Sequence, residues 1–140
     1  MAKGLETLIR LNEWSVDQKR RKLNDLSNLI HGFKAELEKL EQDLINERAV
    51  AVEAPNEGGY LYGYYIDRVI DRRSIIQISI KQLEKDSDGA REELSEAYRE
   101  LKKYKTALDA RRAGEKAELA KEEQTELDEV AIGTFNQKRI

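Results

Sequence analysis

Apolar residues recur every seven positions over most of the chain. Stepping by seven from Ile9 reaches Val16, Leu23, Ile30, Leu37, Leu44 and Ala51, and every member of that row is apolar. A companion row, Leu5, Asn12, Lys19, Leu26, Phe33, Leu40 and Glu47, is apolar at four of its seven positions. Two rows with a mean spacing of 3.5 residues predict a helix that lies against another helix. The pattern stops at Val52-Glu53-Ala54-Pro55-Asn56-Glu57-Gly58-Gly59. Proline there removes a donor and turns the residue before it away from helix, and paired glycines follow. A second pair of rows begins beyond this break. Tyr62, Val69, Ile76, Leu83, Ala90, Ala97 and Tyr104 form one, and Ile66, Arg73, Ile80, Ser87, Leu94, Leu101 and Leu108 the other.

The two patterns fold onto one another about Glu57. Ala51 then faces Tyr62, Leu44 faces Val69, Ile9 faces Tyr104 and Leu5 faces Leu108, so each heptad of the first helix finds one in the second. At about 1.5 Å per residue the paired stretch is roughly 70 Å long, and the short connection makes the pairing antiparallel. The predicted fold is all-α: a long antiparallel two-helix coiled-coil hairpin with a C-terminal helical overhang, forming a single domain. Helix one spans about 4–52, the turn 53–59, helix two 60–132, and a frayed tail 133–140. Asp86-Ser87-Asp88-Gly89-Ala90 is poor in helix formers but keeps the phase, which predicts a strained or kinked helix rather than a loop. Lys19, Glu47 and Arg73 interrupt the seam and are expected to set its register, as buried polar residues do in some coiled coils. Beyond Asp109 the phase fails. A thinner stripe of Ala110, Ala113, Ala117, Ala120, Leu127 and Ala131 replaces it, and Glu115–Glu129 holds seven acids against two lysines. An overhang with no partner of its own suggests an intermolecular one.

Composition narrows the chemistry. The 140 residues are 38% charged and 6% aromatic, with one proline, one histidine and no cysteine. Disulfide frameworks, zinc ribbons, iron–sulfur sites and thiol nucleophiles are thereby excluded, and His31 alone builds no multi-histidine metal site. No apolar run approaches a membrane span, and Met1-Ala2-Lys3-Gly4-Leu5-Glu6 lacks the apolar core of a secretory signal. There is no phosphate-cradling glycine motif. Carboxylates on a two-helix surface have no pocket to shift their pKa values, so the reading is a non-enzyme without a cofactor or metal. The net charge is only −3. The basic run Gln18-Lys19-Arg20-Arg21-Lys22 is diluted by Asp17 and Asp25, so no nucleic-acid partner is expected. Four of the six tyrosines, Tyr60, Tyr62, Tyr64 and Tyr65, cluster beside the turn. They read either as packing over the glycines or as an interface, where tyrosine is favoured.

Several segments resemble one family. Gly4-Leu5-Glu6-Thr7-Leu8, Trp14-Ser15-Val16-Asp17 and Arg20-Arg21-Lys22-Leu23 look like the N-terminus of FliJ, the coiled-coil component of the bacterial flagellar type III export apparatus. Ala97-Tyr98-Arg99-Glu100-Leu101-Lys102 and Leu127-Asp128-Glu129 resemble its later parts. The resemblance implies an antiparallel two-helix stalk that binds the hexameric export ATPase, promotes its assembly and activity, and links it to the export-gate membrane protein and to export chaperones. It implies a protein monomeric alone, cytoplasmic, and peripheral to the inner membrane at the flagellar base without inserting into it. Carried over residue by residue, ATPase contact falls to Leu5, Leu8, Ile9, Arg20, Arg21, Leu127, Asp128, Glu129 and Phe135. Gate contact falls to Glu36, Leu40, Asp43, Tyr65, Val69 and Ile76, and Tyr64 joins them on the reading that the tyrosine cluster supplies aromatic contacts. Alternatives are a self-associating coiled-coil scaffold or tether, a prefoldin-like chaperone arm, and the equivalent stalk of a virulence type III secretion system.

Overall fold

The computed structural model describes residues 2–53 and 58–138, and the side chains of 3–53 and 62–138. Two helices account for all of them: α1, Ala2–Glu53, and α2, Gly58–Lys138. The predicted turn around Pro55 lies outside the described residues, as do the side chains of Tyr60 and Leu61. Helix α2 continues through Gly133 to Lys138, past the point where the sequence reading ends it. A lone glycine costs a helix about 1 kcal/mol but keeps its backbone donor, so it weakens the helix without breaking it. The helix also runs unbroken across Asp86–Ala90, and no described residue has a positive φ.

The chain divides into two compact units, one of Met1–Ser15 with Ala97–Ile140 and the other of Val16–Glu96. Each contains a piece of both helices. In the first unit, Ile9, Ala97, Leu101 and Leu108 are buried, with Leu5, Asn12 and Tyr104 half-buried. The second unit buries Val16, Val69, Ile76, Ile80, Ser87 and Ala90. Leu23, Leu26, Ile30, Phe33, Leu37, Leu40, Leu44, Ile66, Leu83 and Leu94 are half-buried there. These are the residues of the heptad rows. A two-helix seam has only one covered face, so most of its leucines keep an edge in water and gain part of the roughly 25 cal/mol per Å² that full burial confers.

Two polar members of the rows behave otherwise than expected. Glu47 and Arg73 are exposed and do not sit in the seam as register-setting residues; Lys19 is half-buried. Long charged side chains leave an apolar seam for water when their stems allow it, and Arg73 Nη2 reaches out to Glu41 Oε1 at 3.7 Å.

The register shows in the flanking charges. With Ile9 facing Tyr104, the residues beside the seam bring Glu6 to Arg112 and Glu13 to Lys105. These pairs form at 2.9 and 3.8 Å in the first unit. In the second, Lys22 meets Glu93 at 3.6 Å, Lys34 meets Glu84 at 3.9 Å, and Glu36 meets Arg72 at 2.7 Å. Partner numbers fall along α2 as they rise along α1, so the helices are antiparallel in each unit. All these groups keep substantial exposure, and such pairs contribute roughly 0–1 kcal/mol each. They select the register more than they stabilise it.

Candidate partner-binding surfaces

In the first unit the expected ATPase residues do not form one site. Leu5 is half-buried, Ile9 is at the seam, and Leu8 is exposed at its edge. Leu127, Asp128 and Glu129 lie about 28 Å along α2 beyond Leu108, the residue that faces Leu5, at 1.5 Å per residue. Every residue from Arg112 to Lys138 is exposed, with Leu127 at 64%. This stretch is held by its own helical contacts, such as Gln124 Nε2 donating to Asp128 Oδ1 at 3.0 Å. Leu119, Val130, Ile132 and Phe135 add exposed apolar area to it. On α1, Leu11 and Trp14 project outward beside Leu8, with Trp14 62% exposed. Sequence reasoning left both off the site, although neither lies on a seam row and their exposure was therefore readable. Arg20 and Arg21 belong to the second unit and are exposed.

The second unit divides the expected gate residues into surface and core. Tyr64 is exposed, while Glu36, Leu40, Asp43 and Tyr65 are half-buried along the edge of the seam. Glu36 Oε1 accepts from Arg72 Nε at 2.9 Å. Val69 and Ile76 are corrections to the expected surface: Val69 is 6% exposed and Ile76 is fully covered. Their heptad positions point them into the seam against α1. The exposed apolar area of that stretch comes instead from Ile70, Ile75 and Ile78. All three fall off the seam rows, which is the signal that finds them.

The phenol of Tyr65 is shifted by its surroundings. Partial burial, and then the negative charges of Asp43 and Glu47, raise its pKa above the ordinary 10.0. The fold thus favours the neutral phenol, a contribution fully present below pH 10.0 and lost as pH rises through the higher folded value. The difference between tyrosinate absorbance titrations of the parent chain and Tyr65→Phe isolates this group. Its midpoint is expected above 10.0; a midpoint at or below 10.0 contradicts the placement beside Asp43.

Among the described residues, no group of three or more His, Cys, Asp or Glu side chains could hold a metal ion, and no helix is long and apolar enough to cross a membrane. His31 is exposed on a shallow polar groove with Ser27, Lys34 and Arg91. The exposed surface carries apolar side chains, among them Leu11, Trp14, Ile75, Ile78 and Leu127.

Comparison with known proteins agrees with this architecture. A family model described as the flagellar FliJ protein matches residues 1–139. Two curated relatives, each called flagellar FliJ protein and drawn from two strains of Caulobacter vibrioides, are 26% identical over 132 residues, covering 94% of this chain and 94% of theirs. No solved structure matches. The match runs through both helices and through the exposed end of α2, and on that ground the chain belongs to the FliJ family of flagellar export proteins.

Proposed function

We propose that the chain is a non-enzymatic, stalk-like component of flagellar protein export, binding the export ATPase ring at the end where α1 begins and α2 continues alone. The observation that carries this reading is the exposure of residues 112–138 on a helix that otherwise buries its seam. A helix with no covered face derives little stability from its sequence alone, so a binding role accounts for its retention. The mechanism is mechanical: the helical end presents different charged and apolar side chains to successive ATPase subunits, and the second unit offers a separate surface to the export gate. Leu8, Leu127, Asp128, Glu129 and Phe135 are the exposed ATPase candidates of the first unit, and Arg20 and Arg21 those of the second. Export chaperones are further partners, and the place of action is the cytoplasmic face of the inner membrane at the flagellar base.

The test is steady-state ATP hydrolysis by the cognate export ATPase with and without this protein. Stimulation, with co-migration of the chain and the assembled ring, is expected. Neither effect appearing would turn the reading toward a coiled-coil scaffold.

For the gate, the accessible candidates are Tyr64, Tyr65, Glu36, Leu40 and Asp43, with Ile75 and Ile78 continuing the apolar surface. Tyr64→Ala with Tyr65→Ala is expected to weaken binding to the gate's cytoplasmic portion at least about tenfold, the loss of a typical aromatic anchor. Unchanged binding would remove the tyrosines from this role.

A further inference from the structure

Within the second unit, nearer its Val16 and Glu96 ends, both helices are made of poor helix formers at the same level. On α1 the stretch reads Asn24-Asp25-Leu26-Ser27-Asn28-Leu29-Ile30-His31-Gly32, and on α2 Asp86-Ser87-Asp88-Gly89-Ala90. Asparagine, aspartate and serine compete with helix by bonding nearby backbone, and glycine loses the most conformational freedom. Cross-helix ion pairs bracket the level. Lys22 with Glu93 lies on one side and Lys34 with Glu84 on the other, so residues 23–33 lie against 85–92. Between those brackets the ion pair found among the described residues, Arg91 with Asp88 at 3.7 Å, stays within α2.

The seam is thin here as well. On α2 it is made by Ser87, 6% exposed, and by Ala90, both short side chains, where the next heptads toward the turn use Ile80, Ile76 and Val69. Less apolar area leaves water per layer than at Val69, Ile76 and Ile80. Shallow concavities flank the level, one between Leu26 and Gly89–Ala90, another between Ile30 and Ser87. Neither central glycine is required by the geometry. Both have ordinary helical φ, and a Cβ at Gly32 or Gly89 would meet nothing within 4 Å. Low propensity in both helices, short seam side chains on α2 and the lack of a cross-helix ion pair among the described residues of this level coincide, and neither glycine has a steric reason to be there.

We propose that residues 23–32 and 85–92 form an opening point built into the hairpin, where the two helices unwind and part together more readily than the heptads on either side, exposing Leu23, Leu26 and Ile30. This does not depend on the export reading. Proteins open locally in cooperative units of differing stability, and hydrogen exchange reads those units directly.

Hydrogen–deuterium exchange of the full chain, corrected for intrinsic rates, tests it. Amides of 24–32 and 86–90 are expected to exchange at least about tenfold faster than those of 35–44 and 70–81. Gly32→Ala alone should slow both segments roughly fourfold to fivefold, the effect of one glycine-to-alanine change in a helix, because an opening shared by both helices is suppressed from either side. Gly89→Ala should do the same. These substitutions favour helix and leave folding intact. Protection equal to that of the flanking heptads overturns the proposal. So does a single substitution that slows exchange only in its own helix, which would mean that the helices open independently.

Discussion

Replacing Ile76 by alanine is expected to lower the free energy of unfolding by about 2–5 kcal/mol, the range for truncating a fully covered aliphatic side chain. Ile75→Ala and Ile78→Ala should each change it by less than about 0.5 kcal/mol. The three residues share one turn of α2, one residue type and one sequence neighbourhood, so propensity and unfolded-state effects nearly cancel. What separates them is burial: Ile76 is fully covered, while Ile75 and Ile78 are 55% and 66% exposed. Alanine is the better helix former, so the two exposed positions lean toward a small gain. Urea unfolding followed by helical circular dichroism measures all three. Equal losses would mean that this face of α2 is covered by something other than α1. The comparison also separates fold from function at the gate. Ile76→Ala should weaken gate binding only as far as it unfolds the chain, whereas Ile75→Asp with Ile78→Asp should weaken binding with the helix intact.

The same residues show what the sequence makes legible. A heptad row states which side of a helix is covered, and every position of the two fully apolar rows is buried or half-buried. Val69 and Ile76 lie on those rows. Placing them on a partner surface came from resemblance to a family, and the burial sides with the periodicity. Ile70, Ile75 and Ile78 were readable as exposed by the same rule. Glu47 and Arg73 were misread because a heptad position fixes where a Cβ points, not where a long charged side chain ends. Helix α2 continues past Gly133 because one weak helix former lowers stability without removing a backbone donor. Partner sites are harder to read, because an exposed residue is constrained by a surface absent from the chain. Trp14 and Leu127 are conspicuous only once the rest of the apolar residues have been assigned to the seam.

Removing residues 113–140 is expected to return ATP hydrolysis to the level of the export ATPase alone while leaving the paired helices as stable as before. The second half follows from burial: residues 113–138 are all exposed, and deleting 113–140 spares the seam and the pair between Glu6 and Arg112. The unfolding free energy of the remainder should therefore hold within about 0.5 kcal/mol. The first half rests on where contact area is available. Leu119, Leu127, Val130, Ile132 and Phe135 together expose far more apolar surface than Leu8 offers at the start of α1. The seven acids of Glu115–Glu129 add a charge that a basic lining would recognise and that salt would screen. A finer variant, Leu127→Ala with Phe135→Ala, should lose most of the stimulation without altering net charge. Full stimulation by the truncated chain would place the ATPase contact on α1 instead, around Leu8, Leu11 and Trp14. The exposed end of α2, whose described residues from Arg112 to Lys138 are all exposed, would then serve a different partner.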